Sequence, residues 1–172
     1  MSDIAVVYYS RAGENCYSGA IRNVAVGNTE VVVGYVRDLT GADLFKLETV
    51  EKYPVNYTQC TDRAKAELHA NARPALQSLP HVTAYQTVIL AFPNWWGTAP
   101  MAVRTFLDAQ TLAGKKVLLL CTNEGGGMGS SERDLKQACP EASFGPSLEI
   151  RGGAVTGAKD KVERWLKKAR LL

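Results

Sequence analysis

The segment Phe92-Pro93-Asn94-Trp95-Trp96-Gly97-Thr98-Ala99-Pro100 sets two adjacent indoles in a loop bounded by proline and glycine. A loop shelters indoles poorly, and rings placed there suit the stacking of a flat partner. Two further loops carry unusual chemistry. Ser10-Arg11-Ala12-Gly13-Glu14-Asn15 offers hydroxyl, amide and backbone N–H groups of the kind that cradle an anion. Thr122-Asn123-Glu124-Gly125-Gly126-Gly127-Met128-Gly129-Ser130-Ser131 offers a glycine-rich backbone surface. A phosphate on a short chain, attached to a flat heteroaromatic ring, would match all three.

Each loop follows an apolar run. Residues 4–9, 87–92 and 116–122 read as buried strands, and 43–48 and 148–150 as shorter ones. Spacing predicts helices over 61–71, ending before Pro74, over 102–109, over 131–138 with Pro140 beyond, and over 159–170. In the last of these Val162, Trp165, Leu166 and Ala169 share a face. Residues 29–36 have the β-branched composition of a strand, but Val32, Val36 and Leu39 also fit a helix. Helix is the expectation, because parallel strands need a crossover there. Continuous apolar strands alternating with helices imply an α/β fold, a doubly wound five-stranded parallel sheet in the order 2-1-3-4-5. Ligands bind such sheets outside the carboxyl ends of the strands, where all three loops fall.

The 172 residues fit a single domain spanning 1–172, with 46% apolar and 22% charged residues, an ordinary globular balance. No apolar run nears the ~20 residues that cross a membrane. The first residues carry no basic stretch of the secretory type, so a cytoplasmic location is expected. Cys16, Cys60, Cys121 and Cys139 form no CxxC pair, and His69 and His81 stand apart from them. That usage suits a reducing compartment and gives no metal-site pattern. The net charge of +3 is too diffuse to suggest nucleic acid. No serine–histidine–acid or cysteine–histidine arrangement supports hydrolysis.

Taken together, five segments resemble the flavodoxin superfamily, whose members bind flavin mononucleotide (FMN). They are Tyr8-Tyr9-Ser10-Arg11-Ala12-Gly13-Glu14-Asn15, Gly27-Asn28-Thr29-Glu30, Tyr53-Pro54-Val55-Asn56-Tyr57, Pro93-Asn94-Trp95-Trp96-Gly97-Thr98 and Glu124-Gly125-Gly126-Gly127-Met128-Gly129. Each alone is weak, but the combination runs through nearly the whole chain, and it is most similar to the branch with an elongated first loop. The resemblance implies a flavodoxin-like fold. It also implies an FMN site built from Ser10, Arg11, Ala12, Asn28, Thr29, Pro93, Asn94, Trp95, Trp96, Gly97, Thr98, Glu124, Gly125, Gly126, Gly127 and Met128. Flavodoxins carry Ser/Thr-x-Thr-Gly-Asn-Thr directly before the first helix. Here Ser10-Arg11-Ala12-Gly13 matches its front and Gly27-Asn28-Thr29 its back, with residues 14–26 inserted. The implied phosphate nest is therefore split. The Ser10 hydroxyl and the Arg11 and Ala12 amides lie on one side, and Asn28 and Thr29 at a helix N-terminus on the other. Ala12 lacks the hydroxyl that the family often has. The alternative for Asn28 or Thr29 is a plain helix cap.

Of the two tryptophans, one is expected to pack inward and the other to stack on the flavin, and the sequence leaves open which. By resemblance, Gly97 turns its carbonyl toward flavin N5 on one-electron reduction, a change that glycine tolerates. The amides of residues 125–127 would face the pyrimidine edge of the ring. Met128 stands where flavodoxins often place a tyrosine, so one ring face would be open to a nicotinamide or a quinone. Tyr53, Pro54 and Tyr57 are expected to pack beside the cofactor edge. Arg11 and Arg104 also read as ordinary solvated arginines, and Cys16 is the cysteine to watch for reactivity. Flavodoxins are acidic and this chain is not, which implies a less strongly reducing cofactor. The expected function is electron transfer through FMN, to or from a redox partner protein or a small-molecule acceptor, by a monomer or homodimer. The alternatives are an NAD(P)H-dependent FMN reductase of quinone-like molecules and a non-catalytic binding module on the same fold.

Overall fold

In the computed structural model, which describes residues 2–172, the apolar runs pair as one parallel sheet. Strand β1 (Ile4–Tyr8) is followed by a hairpin, β2 (Gly13–Tyr17) and β3 (Ala20–Val24), and then by helix α1 (Asn28–Thr40). Next come β4 (Asp43–Lys46), α2 (Tyr57–His69), β5 (Thr87–Pro93), α3 (Met101–Ala109), β6 (Lys116–Asn123) and α4 (Ser131–Ala138). The chain ends with β7 (Ser143–Phe144), β8 (Leu148–Arg151), a short 3-10 turn and α5 (Lys159–Lys168). The sheet order is β4-β1-β5-β6-β7, with β8 also paired to β6, and its pairings are parallel. This is the expected 2-1-3-4-5 order, with the fifth strand in two pieces.

Alternation along the strands divides the core. Ala5, Val7, Val88, Leu90, Phe92, Val117, Leu119 and Cys121 face one layer, where Ala102, Val103 and Phe106 of α3 and Leu135 of α4 cover them. Val6, Tyr8, Ile89, Ala91, Leu118 and Leu120 face the other, under Val32, Val33 and Val36 of α1 and Val162, Trp165 and Leu166 of α5. Residues 28–40 are thus helical, and the β-branched run 31–33 is spent on a buried helix face. The fifth strand breaks around Pro146, where its register against β6 shifts by one residue, from Val117 opposite Phe144 to Leu120 opposite Leu148. The Pro146 carbonyl accepts the Trp165 indole N–H at 2.7 Å.

Two elements differ from the sequence expectation. Helix α2 begins at Tyr57 rather than at residue 61, because Asn56 caps it and accepts the Gln59 N–H at 3.0 Å. The insertion 14–26 is not a plain loop but largely the β2–β3 hairpin, turning at Ser18 and Gly19, both with positive φ. No described helix is long and apolar enough to cross a membrane.

Candidate functional site

The two halves of the split motif meet at the start of α1. A Cβ on Gly27 would collide with Ser10 Oγ and come within 2.6 Å of the Arg11 carbonyl oxygen, so only glycine lets the chain return there. Ser10 is buried, and its hydroxyl accepts the Glu30 N–H at 3.1 Å. The Gly27 cap offers no side chain. Of the first helical amides, those of Asn28 and Thr29 have no acceptor within the helix, and with the dipole they make an electropositive end.

Several side chains expected at this nest are engaged elsewhere. The Thr29 hydroxyl, 1% exposed, shares a 2.7 Å hydrogen bond with Thr122 Oγ1 at the end of β6. Arg11 is half-buried, and its side chain is tied down. Its guanidinium donates to the carbonyls of Glu14, Pro54 (2.7 Å) and Val55 (2.8 Å), tying the first loop to the segment before α2. Ala12 is exposed and faces a separate cavity with Lys46 and Tyr53. Accepting from Glu30 leaves the Ser10 O–H free to donate into the polar cleft that Ser10 lines, so an anion at this end would meet that hydroxyl, the Asn28 and Thr29 backbone and the Asn28 amide, rather than the Thr29 or Arg11 side chains.

The tryptophan loop is a tight two-residue turn. Trp95 and Thr98 exchange backbone hydrogen bonds of 2.9 and 3.3 Å, and both central residues, Trp96 (φ 55°) and Gly97 (φ 85°), are left-handed. Positive φ at a bulky residue costs about 1 kcal/mol, and the surrounding bonds hold it. Asn94 Oδ1 accepts the Gly97 N–H at 2.8 Å, while its Nδ2 donates to the Gly127 carbonyl at 2.9 Å. Trp95 turns inward, edge-on to Tyr9 and Tyr53 with centroids 5.0 Å from each. Trp96 is 50% exposed; its indole N–H donates to the Thr61 carbonyl at 2.8 Å, with the Lys65 ammonium 5.1 Å from the ring centroid. The inward packing of one indole matches the sequence reading.

The Gly97 carbonyl accepts the Ser130 N–H at 2.6 Å and so faces the third loop in this state. Thr98 is also held, its hydroxyl donating to Asp134 Oδ2 at 2.8 Å, where the Ser130 hydroxyl donates at 2.7 Å. Burial would raise the Asp134 pKa, but these two bonds, with a bond and charge from Arg133, outweigh it and lower the carboxyl. The aromatic support is polar at its far end: the Tyr53 hydroxyl donates to Glu67 at 2.5 Å, under the Arg63 guanidinium. Burial, then that bond to Glu67, pushes the Tyr53 phenol up.

In the third loop the Gly125 N–H is taken by Asn123 Oδ1 at 2.8 Å, which leaves the Gly126 and Gly127 amides as candidates for a ring edge. Met128 is partly buried and packs against the core. Glu124 accepts the Ser18 N–H at 2.8 Å through Oε2, and its Oε1 is buried with no partner among the described residues.

Two adjoining clefts result. The polar one, about 140 Å³, runs from Asn28 and Thr29 past Thr122, Asn123 and Glu124 to Pro93, Asn94 and Trp95. The apolar one, about 350 Å³, is lined by Tyr57, Cys60, Thr61 and Ala64 of α2 together with Trp95 and Trp96. Arg11, Asn15, Tyr57, Asn94 and Trp95 border both. Burial raises the Cys60 thiol, which disfavours a reactive thiolate. Asn15, Cys16, Thr122 and Asn123 line the polar cleft but were not among the expected binding residues. The signal for the first two was the Ser18-Gly19 pair inside 14–26, a hairpin turn.

The sheet order, the loops at its carboxyl edge and the helix N-terminus define a flavodoxin-like protein. The sequence model of a family described as flavodoxin matches residues 21–169, and the chain belongs to that family. Among solved structures it is similar to a protein from Bacteroides eggerthii assigned provisionally as a flavoprotein, at 23% identity and TM-score 0.76, covering 97% of each chain. It is similar also to a flavoprotein in complex with FMN from Lactobacillus acidophilus, at 15% identity and TM-score 0.70, over 96% of this chain and 99% of that one. An NADH:FMN oxidoreductase matches at 12% identity and TM-score 0.52, over 98% of this chain and 90% of that one. No protein with a curated description matches the sequence.

Proposed function

We propose that the protein binds FMN across the two clefts and carries electrons to or from a partner protein or a small-molecule acceptor. One observation carries this reading: a polar cleft ending at the free Asn28 and Thr29 amides opens into an apolar cleft walled by Trp95 and Trp96. A phosphate suits the first, where backbone N–H groups and the helix dipole favour an anion. A flat ring suits the second, whose lining is formed by α2 and the two tryptophans. Bound FMN supplies the redox chemistry; the chain supplies placement and surroundings. The charged side chains bordering the clefts are Arg11 and Glu124, one of each sign. That balance fits the expectation of a less strongly reducing flavin than an acidic site gives.

A reductase that takes electrons from NAD(P)H and passes them to a quinone-like molecule is the second reading. It is favoured by Met128, which packs into the core and leaves the glycine loop without a large side chain over the cleft. Purified protein mixed with FMN and freed of excess should be yellow, with one flavin per chain. Bleaching of that flavin by NADPH alone would select the reductase; bleaching only through a partner would select the carrier. Protein that retains no flavin would overturn both.

A further inference from the structure

The inserted hairpin lines the polar cleft. Its Asn15 and Cys16 share the lining with Asn28, Thr29 and Asn94. The polar cleft holds about 140 Å³ and adjoins the apolar cleft of about 350 Å³, so the hairpin bounds the narrower, Asn28–Thr29 end of the pair.

The hairpin is fastened unequally. At its base Arg11 donates to the Glu14 carbonyl, Asn15 Nδ2 donates to the Arg11 carbonyl at 2.7 Å, and the Tyr57 N–H donates to Glu14 Oε2 at 2.8 Å. At its tip one bond reaches the third loop, Ser18 N–H to Glu124 Oε2 at 2.8 Å. The other carboxylate oxygen, Oε1, is buried without a partner among the described residues, close against Gly152, where a Cβ would collide with it. A two-stranded ribbon has little stability of its own, and its position depends on such anchors. Gly13, at φ 89°, sits where the ribbon leaves the first loop.

We propose that the hairpin is a hinged cover over the cleft and that Glu124 is its latch. Ligand enters and leaves when the Ser18–Glu124 bond breaks and the ribbon swings on its anchored base. The ligand class, a phosphorylated flavin, rests on the function proposed above; the latch itself does not. Glu124 acts here as a positioning residue.

Two variants test it. Glu124→Ala removes the latch. In ligand-free protein, amide hydrogen exchange at residues 17–21 should rise about tenfold while exchange in β5 stays unchanged. FMN association and dissociation should both quicken by about tenfold. Ser18→Cys with Gly153→Cys fastens the tip, since a Cβ at Gly153 would lie 2.7 Å from Ser18 Oγ, within reach of a disulfide. The oxidised form should take up FMN at least a hundredfold more slowly, and reductant should restore the rate. Unchanged tip exchange in Glu124→Ala, or unimpeded FMN entry into the disulfide form, would overturn the cover. Wild-type protein that binds no FMN would overturn the flavin reading instead, and exchange at residues 17–21 would still decide the latch.

Discussion

Thr29 and Thr122 lie 93 residues apart, yet their hydroxyls share a buried hydrogen bond of 2.7 Å. It joins the first turn of α1 to the last turn of strand β6, the two elements that frame the polar cleft. The bond fixes the helix N-terminus relative to the sheet edge. It also occupies the Thr29 hydroxyl, which is buried with the rest of that residue.

Thr122→Val removes one hydroxyl without changing shape and strands the other. Chemical denaturation should show a loss of about 1–3 kcal/mol. Adding Thr29→Val should recover part of that loss, because no buried hydroxyl is then unpaired. A double variant as unstable as the sum of the two singles would show that the pair is not coupled.

Gly27→Ala should be far more damaging than its small size suggests. The new methyl meets Ser10 Oγ and the Arg11 carbonyl, one of which is backbone that cannot swing aside. A loss of about 1–3 kcal/mol is expected, from overpacking. Gly34, in the middle of α1, has open space around it, and Gly34→Ala should instead stabilise by up to about 1 kcal/mol. Thermal melts of the two variants side by side check the contrast.

Asp134 joins the second and third loops by accepting from Thr98 and Ser130. Its folded pKa lies below the ordinary 3.8, so the carboxylate contributes stability above that pH and loses it as pH falls through the lower folded value. Asp134→Asn should therefore cost about 1–2 kcal/mol at pH 7, with the gap to wild type narrowing below about pH 4. Denaturation midpoints across pH 3–7 measure this. A gap that stays constant into acid would remove the charge from the explanation.

The two tryptophans should separate cleanly. Trp95→Leu opens space between Tyr9 and Tyr53 and should cost about 3 kcal/mol. Trp96→Ala loses an exposed hydrogen bond but relieves little, so stability should move by less than about 1 kcal/mol. If Trp96 is the stacking wall, the same variant should weaken FMN binding by about tenfold. Unaltered FMN affinity in a folded Trp96→Ala protein would assign the stacking to Trp95.

The sheet and its order were legible because unbroken apolar runs such as 87–92 admit few other placements. The three loops were legible as a set because those strands put them on one edge. What the sequence did not reveal is how the loop side chains are spent. Thr29 is a hydroxyl of the expected type, but Thr122 claims it from 93 residues away, while Ser10 gives only a lone pair to Glu30, 20 residues on. Arg11 is captured by carbonyls of residues 54 and 55, and the Gly97 carbonyl by Ser130. Such pairings depend on tertiary placement that local spacing does not encode. The hairpin was closer to legible, since Ser18-Gly19 is a turn signal, but the exposed strand β3 carries too little apolar alternation to announce itself.

The central claim is that a phosphate sits at the Asn28 and Thr29 amides while a flavin ring occupies the tryptophan cleft. Titrating ligand-free protein with FMN and with riboflavin, followed by flavin fluorescence, tests both halves together. Both ligands should be quenched at one per chain, and FMN should bind at least about tenfold tighter through its phosphate. Equal affinity for the two would remove the phosphate from the helix N-terminus, and no quenching by either would contradict the flavin site altogether.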